Sequence, residues 1–412
     1  MKIIGLITEY NPLHNGHLYH IRRAKELTGA DALVAVMSGN FVQRGGPAIL
    51  PKHLRAKAAL EAGLSAVFEL PAWCACGSAE FFASGAVSIL DRLGCIDGFC
   101  FGSECGEISL LKKAAGVLAQ EPPAYKTLLK DGLKRGLSFP KARQHALTAY
   151  TKDPRMEELL SSPNNILGIE YIKAALRRNS RMKAYTIQRK GAAYHEDTLT
   201  DGFSSASAIR KRLKDSESRD LLSDLRSHLP PSSFRLLQSS YRKYCPIYAD
   251  DFSLLIRYRL LTESPDSLAR YADLSPALAN RIFHCLNQYT TFDQFCGLLK
   301  TKEITHTRIS RALFHILLQI TKEDLQQLQA DGGCGYARML GFRKQDASLL
   351  KLLKQHSRIP VITSPARPAV LTSSAQKMLK SDIFVSNLYE SVVSEKYGTP
   401  YVHECRKQVV IL

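Results

Sequence analysis

The chain has 412 residues, of which 45% are apolar and 23% charged, a composition typical of soluble globular proteins and too apolar for an intrinsically disordered one. This length exceeds what a single hydrophobic core usually organises, so we expect two domains. The formal net charge of +18 favours a polyanionic partner, although charge alone leaves a basic protein with no nucleic-acid role as an equal alternative.

The first two hundred residues alternate short apolar runs with amphipathic stretches. Apolar runs predict strands, and apolar residues at helical spacing predict helices. This alternation predicts a parallel sheet with helices on both faces and a ligand site beyond the carboxyl ends of the strands. The predicted elements, in chain order, are a strand over 2–8, a helix over 17–29, a strand over 32–39, a helix over 52–63, a strand over 66–71, a helix near 79–92, and strands over 98–104 and 182–189.

From about residue 215 the alternation fades and basic helical stretches follow. The segment HLPPSSF at 228–234 is a natural break, and short strands are predicted in RIPVITS and QVVIL near the end. The predicted fold class is therefore α/β. A Rossmann-like domain with a parallel sheet covers 1–225, and a mostly helical, basic C-terminal domain covers 226–412.

The ten cysteines show no zinc-binding pattern. Cys74 and Cys76 are one residue apart, and Cys95, Cys100 and Cys105 are spaced by fives, so none forms a C-x-x-C pair. The opening MKIIGLITEY becomes acidic too early for a signal peptide, and no apolar run reaches the length of a membrane span. We expect a cytoplasmic protein with reduced thiols, no membrane partner and no metal site.

The first predicted strand is followed by EYNPLHNGHLYH, in which His14 and His17 flank a turn at Gly16. A turn and a helix cap would explain these residues without any chemistry. A metal site is disfavoured, because paired zinc-binding histidines on a helix usually stand four residues apart. A phosphate site fits better, since helix-start N–H groups attract anions, imidazole N–H groups stabilise charge on a transferring phosphoryl group, and glycine lets the backbone approach a nucleotide.

A second motif is FSSASAIRKRL at 203–213. Ser204 or Ser205 could simply cap the helix that follows. The two serines and Arg210 could also direct hydroxyls and a guanidinium toward one triphosphate. Together the two motifs resemble the nucleotidyltransferase superfamily that shares its core with class I aminoacyl-tRNA synthetases. A synthetase itself is disfavoured, because the only approach to its lysine signature, KMLKS at 377–381, is far from the predicted sheet.

Longer blocks narrow the resemblance to one family. They are similar, over nearly the whole chain, to the bacterial tRNA(Met) cytidine acetate ligases. One departure is Gly46, since the family commonly has an acidic residue after the QRG segment, which leaves any role for an acid there in doubt. The blocks are, in chain order, GLITEYNPLHNGHLYHI, MSGNFVQRGGPAIL, FELP, SAEFFASGAV, CFGSE, SPNNILGIEYIKA, IQRKGAAYHE, THTRISRALFHILL and YARMLGF.

The resemblance implies a nucleotidyltransferase domain that activates acetate with ATP, giving acetyl-adenylate and pyrophosphate. The acetyl group then passes to N4 of the wobble cytidine in the anticodon loop of elongator tRNA(Met), giving N4-acetylcytidine. The region 226–412 would bind the tRNA, and no stable protein partner is expected.

The resemblance also implies roles for individual residues. His14 and His17 would stabilise the α-phosphate and the leaving group, while Arg210, Ser204 and Ser205 would hold the β- and γ-phosphates, with Mg²⁺ held mainly by the phosphates. The other ATP contacts that the resemblance implies are Gly5, Leu6, Ile7, Thr8, Glu9, Tyr10, Asn11, Pro12, Leu13, His14, Asn15, Gly16, His17, Leu18, Tyr19, His20, Gly102, Asn164 or its neighbour Asn165, Arg189 and Lys190.

Two other functions stay open on the sequence. A nucleotidyltransferase acting on a small phosphorylated substrate would share the first motif but would not explain the basic second half. An RNA-binding protein with a vestigial nucleotide site is disfavoured by the intact motifs. Several polar residues have open roles: Asn40 and Gln43 as loop or substrate contacts, Glu69 and Glu80 with a structural role favoured, and Arg308 and Arg311 as a solvated helix face or as tRNA phosphate contacts.

Overall fold

The computed structural model describes residues 1–189, 204–215, 221–367 and 370–412. The strands in these residues are β1 (Ile3–Thr8), β2 (Ala32–Ser38), β3 (Phe41–Val42), β4 (Gly46–Pro47), β5 (Ala66–Leu70), β6 (Gly98–Ser103), β7 (Lys183–Gln188), β8 (Ala337–Phe342), β9 (Val361–Ile362) and β10 (Val410–Ile411).

Helices make up most of the rest of the described chain. They are α1 (Asn15–Thr28), α2 (Lys52–Glu61), α3 (Ala72–Ala75), α4 (Ala79–Arg92), α5 (Ile108–Gln120), α6 (Pro123–Lys134), α7 (Phe139–Thr151), α8 (Arg155–Leu159), α9 (Pro163–Arg177), α10 (Ala206–Asp215), α11 (Leu221–Leu225), α12 (Pro231–Ser240), α13 (Ser253–Leu261), α14 (Pro265–Leu268), α15 (Pro276–Cys285), α16 (Phe292–Leu299), α17 (His306–Leu318), α18 (Lys322–Ala330), α19 (Ala347–His356) and α20 (Ser373–Tyr397), with 3₁₀ turns at Ala249–Phe252, Leu286–Gln288, Lys344–Asp346 and Glu404–Arg406.

The main sheet has the order β10-β8-β5-β2-β1-β6-β7, with β9 paired to β8. Four neighbouring pairs in this order are parallel, namely β5–β2, β2–β1, β1–β6 and β6–β7. All five strands predicted in the first half are present, so the predicted α/β, Rossmann-like fold class is confirmed. The chain moves outward from β1 to β2 and β5 and then returns to β6 on the other side of β1. This reversal places a ligand crevice at the carboxyl ends of β1 and β6.

The sheet separates two apolar cores, because successive side chains of a strand point to opposite faces. On one face, Ile21 and Ala24 of α1 pack with α2 and with Ile4 and Leu6 of β1. On the other face, Ile3 belongs to the core that includes α4, α5 and α9. Helix α1 and helix α9 therefore lie on opposite faces of the sheet, and their N-termini meet at the same edge.

The second half of the chain is mostly helical, as predicted, but it also completes the sheet. The predicted strands near 361 and 410 are present as β9 and β10, and β8 was missed. Strand β8 is antiparallel to β5, so the sheet is mixed rather than purely parallel. The boundary predicted at 225 stays a prediction, and the sheet is not confined to the first of the two predicted segments. Among the described residues, no helix has the length and apolarity required to cross a bilayer.

Candidate active site

The first turn of α1 is built on two histidines. His14 is the N-cap residue: its Nδ1 accepts a hydrogen bond from the backbone N–H of Gly16 at 3.1 Å. The backbone N–H of His14 donates to Nδ1 of His17 at 3.3 Å. The two imidazole rings have centroids 3.7 Å apart, and Tyr10 packs edge-on against His17. The helix-cap interpretation of the motif is thus correct, with imidazoles in the capping-box positions more often held by Ser or Thr and by Glu or Gln.

This capping fixes the protonation pattern of the two rings. Because Nδ1 accepts in both His14 and His17, the neutral imidazoles carry their proton on Nε2. Each ring is therefore an Nε2–H donor beside the backbone N–H groups of a helix N-terminus, which also favour anions. A helix cap and a phosphate site are compatible at this turn.

Burial keeps the histidines of this turn neutral. Burial lowers the pKa of His14 to about 3, and the nearby charges of Arg189 and Arg210 act in the same direction. Burial also lowers the pKa of His17 well below its ordinary value, with His14, Arg189 and His20 contributing and a hydrogen bond with the Pro12 backbone opposing. The pKa of His20 is lowered to about 4 by burial and Arg189. The positive charge of the site therefore comes from the arginines and lysines that line it and not from these histidines.

Arg210, on α10, reaches across to the turn after β1. Its Nη1 donates to the carbonyl oxygen of Asn11 at 2.8 Å, and its Nη2 donates to Ser207 Oγ at 3.1 Å. The guanidinium is thereby fixed beside the first turn of α1. Glu9 is close enough to Arg210 for its negative charge to stabilise the guanidinium.

The serines before α10 have distinct contacts. Ser205 Oγ accepts from the backbone N–H of Ala208 at 3.0 Å, which is the capping contact that the sequence predicted. Ser204 Oγ lies 3.0 Å from His228 Nδ1. The carbonyl oxygen of His228 in turn accepts from the backbone N–H of Asn15 at 3.1 Å. Residue 228 thus ties the start of α10 to the start of α1.

The end of β6 and the start of α9 hold each other in place. The Glu104 carboxylate accepts from the backbone N–H of Asn164 at 3.3 Å, from Asn164 Nδ2 at 2.6 Å and from the backbone N–H of Asn165 at 2.8 Å. In return, Asn165 Oδ1 accepts from the backbone N–H groups of Glu104 and Cys105 at 2.9 and 3.2 Å. Glu104 therefore caps α9, and Asn165 stabilises the turn that carries Glu104.

Gly102 and Arg189 are neighbours at the ends of β6 and β7. The backbone N–H of Arg189 donates to the carbonyl oxygen of Ser103 at 2.9 Å. A Cβ atom on Gly102 would lie 3.3 Å from Arg189 Cγ, so a larger residue there would crowd the arginine side chain. Lys190, also predicted as an ATP contact, lies outside the described residues.

A cavity of about 570 Å³ opens between these elements. Asn164 lines it, whereas Asn165 is 2% exposed and serves the Glu104 turn. The predicted site residues that line the cavity are Ile7, Thr8, Glu9, Tyr10, Asn11, His14, Gly16, His17, Tyr19, His20, Gly102, Asn164, Arg189, Ser204, Ser205 and Arg210. Those that do not are Gly5, Leu6, Pro12, Leu13, Asn15, Leu18 and Asn165, and we leave these seven out of the proposed contact set.

Glu69, whose role the sequence left open, is structural. It is 3% exposed and pairs with Lys52 at 2.6 Å and with Arg338 at 2.9 Å. Glu404 pairs with Lys52 at 2.8 Å and with Arg338. Two buried carboxylates and two buried cations thus join the first half of the chain to β8 and to the C-terminal segment. Asn40 Oδ1 accepts from the backbone N–H of Lys52 at 2.8 Å, so Asn40 also has a structural contact beside this buried ion network.

The other open residues also have contacts. Glu80 pairs with Lys173 at 3.0 Å and with Arg177 at 2.9 Å on α9. Arg311 pairs with Asp273 at 2.7 Å, so its charge is used within the protein. Arg308 Nε donates to the carbonyl oxygen of Asp273.

The QRG segment forms part of the cavity. The backbone N–H of Gln43 donates to Glu9 Oε1 at 2.8 Å, and Gln43, Arg44 and Gly46 line the cavity. A side chain at position 46 would meet open space, so the glycine there is not required by packing.

Several cavity residues were not singled out from the sequence. Phe101, Leu167 and Tyr171 line the cavity, but in the sequence they read as ordinary apolar residues of a strand and a helix. Glu104 could have been found, because an acidic residue directly after a predicted strand falls at the ligand-binding edge of the sheet. Its partner Asn164 on α9 is sixty residues away in the chain, and no local sequence pattern predicts that contact.

Comparison with known proteins agrees with this geometry. A family model described as HIGH nucleotidyl transferase matches residues 1–401. A protein of Alkaliphilus metalliredigens named tRNA(Met) cytidine acetate ligase is 41% identical over 404 residues, covering 95% of each chain. One of the same name from Acetivibrio thermocellus is 39% identical over 409 residues, covering 97% of this chain and 98% of the relative. The chain belongs to the tRNA(Met) cytidine acetate ligase family.

Solved structures also support the assignment of this chain to the tRNA(Met) cytidine acetate ligase family. The apo structure of Thermotoga maritima TmcAL has 31% sequence identity and a TM-score of 0.93, and each chain is covered completely. TmcAL of the same organism bound with alpha-thio ATP has 31% identity and a TM-score of 0.91, again over both full chains. The family resemblance and the fold class inferred from the sequence are confirmed.

The carboxylates around the cavity of this family member are engaged with the protein. Glu9 accepts from Gln43, Glu104 accepts from α9, and Asp293 pairs with Lys214 at 2.7 Å. Within the part of the chain that the structure describes, no group of three or more His, Cys, Asp and Glu side chains is placed to hold a metal ion. The groups of the cavity that suit a phosphate are therefore its hydrogen-bond donors and its cationic side chains.

Proposed function

We propose that this protein is an ATP-dependent acetate ligase acting on elongator tRNA(Met). In the first step, a carboxylate oxygen of acetate attacks the α-phosphorus of ATP, and the bond to the bridging oxygen breaks to release pyrophosphate. In the second step, N4 of the wobble cytidine attacks the acetyl carbon of acetyl-adenylate. AMP leaves, the nitrogen loses a proton, and N4-acetylcytidine remains in the tRNA.

The observation that carries this proposal is the arrangement of donors at the carboxyl end of β1. His14 and His17 present Nε2–H groups at the N-terminus of α1, and Arg210 is fixed beside them by its bond to Asn11. Donors fixed before the substrate arrives stabilise charge that develops in a transition state. An in-line displacement at phosphorus needs this positioning and charge stabilisation rather than a protein nucleophile.

The remaining contacts follow from the position of these donors. Arg210 and the serines before α10 would hold the pyrophosphate portion, since they approach the α1 turn from the same side. Asn164, Gly102 and Arg189, at the ends of β6, β7 and α9, would contact the nucleoside portion. ATP would enter as its magnesium complex, with the metal carried by the phosphates as part of the substrate.

The tRNA part of the proposal is supported by charge and by the names of the relatives. The net charge is +18, and the exposed side chains of Arg44, Arg189 and Lys211 lie on the cavity lining. Each neutralised phosphate releases counterions, which favours RNA binding by such a surface. We propose that 226–412 contributes most of the tRNA contacts, that the anticodon loop presents its wobble base to the cavity, and that the protein acts in the cytoplasm without a stable protein partner.

The decisive experiment uses labelled acetate, ATP and bulk tRNA, followed by digestion of the tRNA to nucleosides. Labelled N4-acetylcytidine is expected with the unchanged protein and with Lys25→Ala, which alters an exposed residue of α1. Little or none is expected with His17→Asn. In a parallel reaction with ATP labelled at the α-phosphate, transfer of the label to a small phosphorylated compound would instead favour the alternative nucleotidyltransferase, and an absence of acetylcytidine with the unchanged protein would refute the proposal.

A further inference from the structure

One side of the cavity is formed by apolar side chains. Ile7 of β1, Phe82 of α4, Phe101 of β6, and Leu167 and Tyr171 of α9 all line it, and we call these five residues the apolar wall. Phe82, Phe101 and Tyr171 are only 3%, 4% and 5% exposed. These three side chains are therefore buried and present little of their surface to solvent, unlike Arg44 and Arg189 on the same lining.

The wall is held in one arrangement by its own packing. The rings of Phe101 and Tyr171 meet edge to face, with centroids 5.7 Å apart. A Cβ atom on Gly168 would lie 2.2 Å from Phe101 Cε2, so glycine is what lets α9 approach this ring. A niche bounded by buried, closely packed rings has a fixed depth and discriminates by size.

The position of the wall relative to the phosphate donors follows from the two faces of the sheet. Phe101 and Tyr171 belong to the core on the α4 and α9 face, whereas α1 packs on the opposite face. Arg210 approaches the turn before α1 by its bond to Asn11. An in-line displacement places the entering oxygen opposite the leaving pyrophosphate. With pyrophosphate held near Arg210, an acid entering from the opposite side would come from the face of the sheet to which the apolar wall belongs.

The wall also has a polar edge suited to a carboxylate that is being activated. Burial raises the pKa of the Tyr171 hydroxyl, and the charge of Glu9 adds to this effect, so the hydroxyl stays protonated and can donate a hydrogen bond. Glu9 itself is held by the backbone N–H of Gln43. The wall thus combines an apolar floor with one neutral donor.

We propose that the apolar wall is the acyl subsite, which takes the methyl group of acetate and excludes longer short-chain carboxylic acids. This inference rests on the proposed function, because it assigns the second substrate of the same reaction. The carboxylate oxygen forms the new bond to the α-phosphorus while pyrophosphate departs, and no proton or electron is required from the wall. Leu167, which is only half-buried, is the member whose size can be changed with least disturbance of the core.

The test measures pyrophosphate release with acetate and with propionate, together with the KM for ATP. In Leu167→Ala the preference for acetate, as a ratio of kcat/KM values, is expected to fall by about 10-fold or more, since one methylene in an apolar pocket is worth roughly 10- to 200-fold. Leu167→Phe should weaken the use of acetate by narrowing the niche. In both variants the KM for ATP should stay within about 2-fold of the unchanged protein.

Ile247→Ala is the matched control, because Ile247 is a buried residue on another part of the cavity lining. The acetate-to-propionate ratio is expected to be unchanged in it. Any one of three outcomes would refute the acyl subsite. The first is an unchanged acetate-to-propionate ratio in both Leu167 variants, and the second is a shifted ratio in Ile247→Ala. The third is a raised KM for ATP in Leu167→Ala with no change in acid selectivity. If the unchanged protein forms no acyl-adenylate with either acid, the proposed function fails and the subsite fails with it.

Discussion

Glu104 is expected to position Asn164 for ATP without touching the nucleotide itself. The substitution Glu104→Gln keeps the side-chain shape but removes the charge and replaces one accepting oxygen by an NH₂ group. In the unchanged protein, three N–H donors of Asn164 and Asn165 bind the Glu104 carboxylate. In the variant at least one of them faces a donor instead of an acceptor. A hydrogen bond to a charged group contributes about 1.5–3 kcal/mol, and we expect a loss of that size in the free energy of unfolding.

The effect of Glu104→Gln on ATP binding should be smaller than its effect on stability, and it should appear in the KM for ATP rather than in kcat. If Asn164 loses its fixed position, the nucleotide loses about one neutral hydrogen bond, or about 0.5–1.5 kcal/mol. This corresponds to a KM for ATP raised by roughly 2- to 10-fold, and kcat should be nearly unchanged because the bond is made equally in the ground and transition states. Pyrophosphate release at varied ATP and urea unfolding measure the two effects.

Glu107→Gln is the control for this prediction. Glu107 is exposed and three residues along the same turn; its carboxylate pairs with the exposed side chain of Arg155 at 3.3 Å and accepts from Ser109 Oγ at 3.0 Å, and both contacts are at the surface. Surface ion pairs of this kind contribute little, so both stability and the KM for ATP should be unaffected. If Glu104→Gln lowers stability but leaves the KM for ATP unchanged, Glu104 is a helix cap only and the positioning role is refuted.

Three further predictions concern the histidine turn and the buried ion network. His17→Asn should lower kcat for acetyl-adenylate formation by about 10²- to 10³-fold, measured by pyrophosphate release, and a smaller fall than 10-fold would contradict its role at the α-phosphate. Because burial lowers the pKa of His14 to about 3 and its Nδ1 accepts from the backbone N–H of Gly16, the ring should stay neutral at pH 6 when ATP binds; calorimetry in two buffers should show equal proton exchange for the unchanged protein and His14→Asn, and greater uptake by the unchanged protein would refute the neutral donor. Arg338→Met should lower the free energy of unfolding by about 3–5 kcal/mol, because it leaves Glu69 and Glu404 with less compensation; a urea midpoint equal to that of the unchanged protein would contradict this.

The elements of the first half could be predicted from the sequence because each carries its own local pattern. Strand β1 and helix α1 are marked by an apolar run, a glycine turn and helical spacing, and the His14–His17 pair falls between them. Strand β8 was missed because its pairing partner β5 lies far away in the chain. Its apolar residues alone do not show that the chain returns to the sheet.

The site could be predicted in part for the same reason. His14, His17 and Arg210 belong to short motifs that announce phosphate chemistry, and the structure brings them together. The choice between Asn164 and Asn165 could not be made from the sequence, because both begin α9 and only the contact with Glu104 separates their directions. The proposed acetate niche could not be predicted from the sequence either, since Phe101 and Tyr171 differ from other core aromatic residues in lining the cavity.

The neutral state of the histidines has a consequence for how the site handles charge. If His14 and His17 were protonated, two cations with ring centroids 3.7 Å apart would be buried beside Arg210 and Arg189, at a high electrostatic cost. Burial keeps both rings neutral, so they serve as donors from the start. Protonation would also place a hydrogen on Nδ1, which in both rings accepts a backbone hydrogen bond of the helix cap. The site therefore meets the polyphosphate with neutral imidazole donors and permanently charged arginines, and these stabilise pyrophosphate as it leaves without a change in the protonation of the rings.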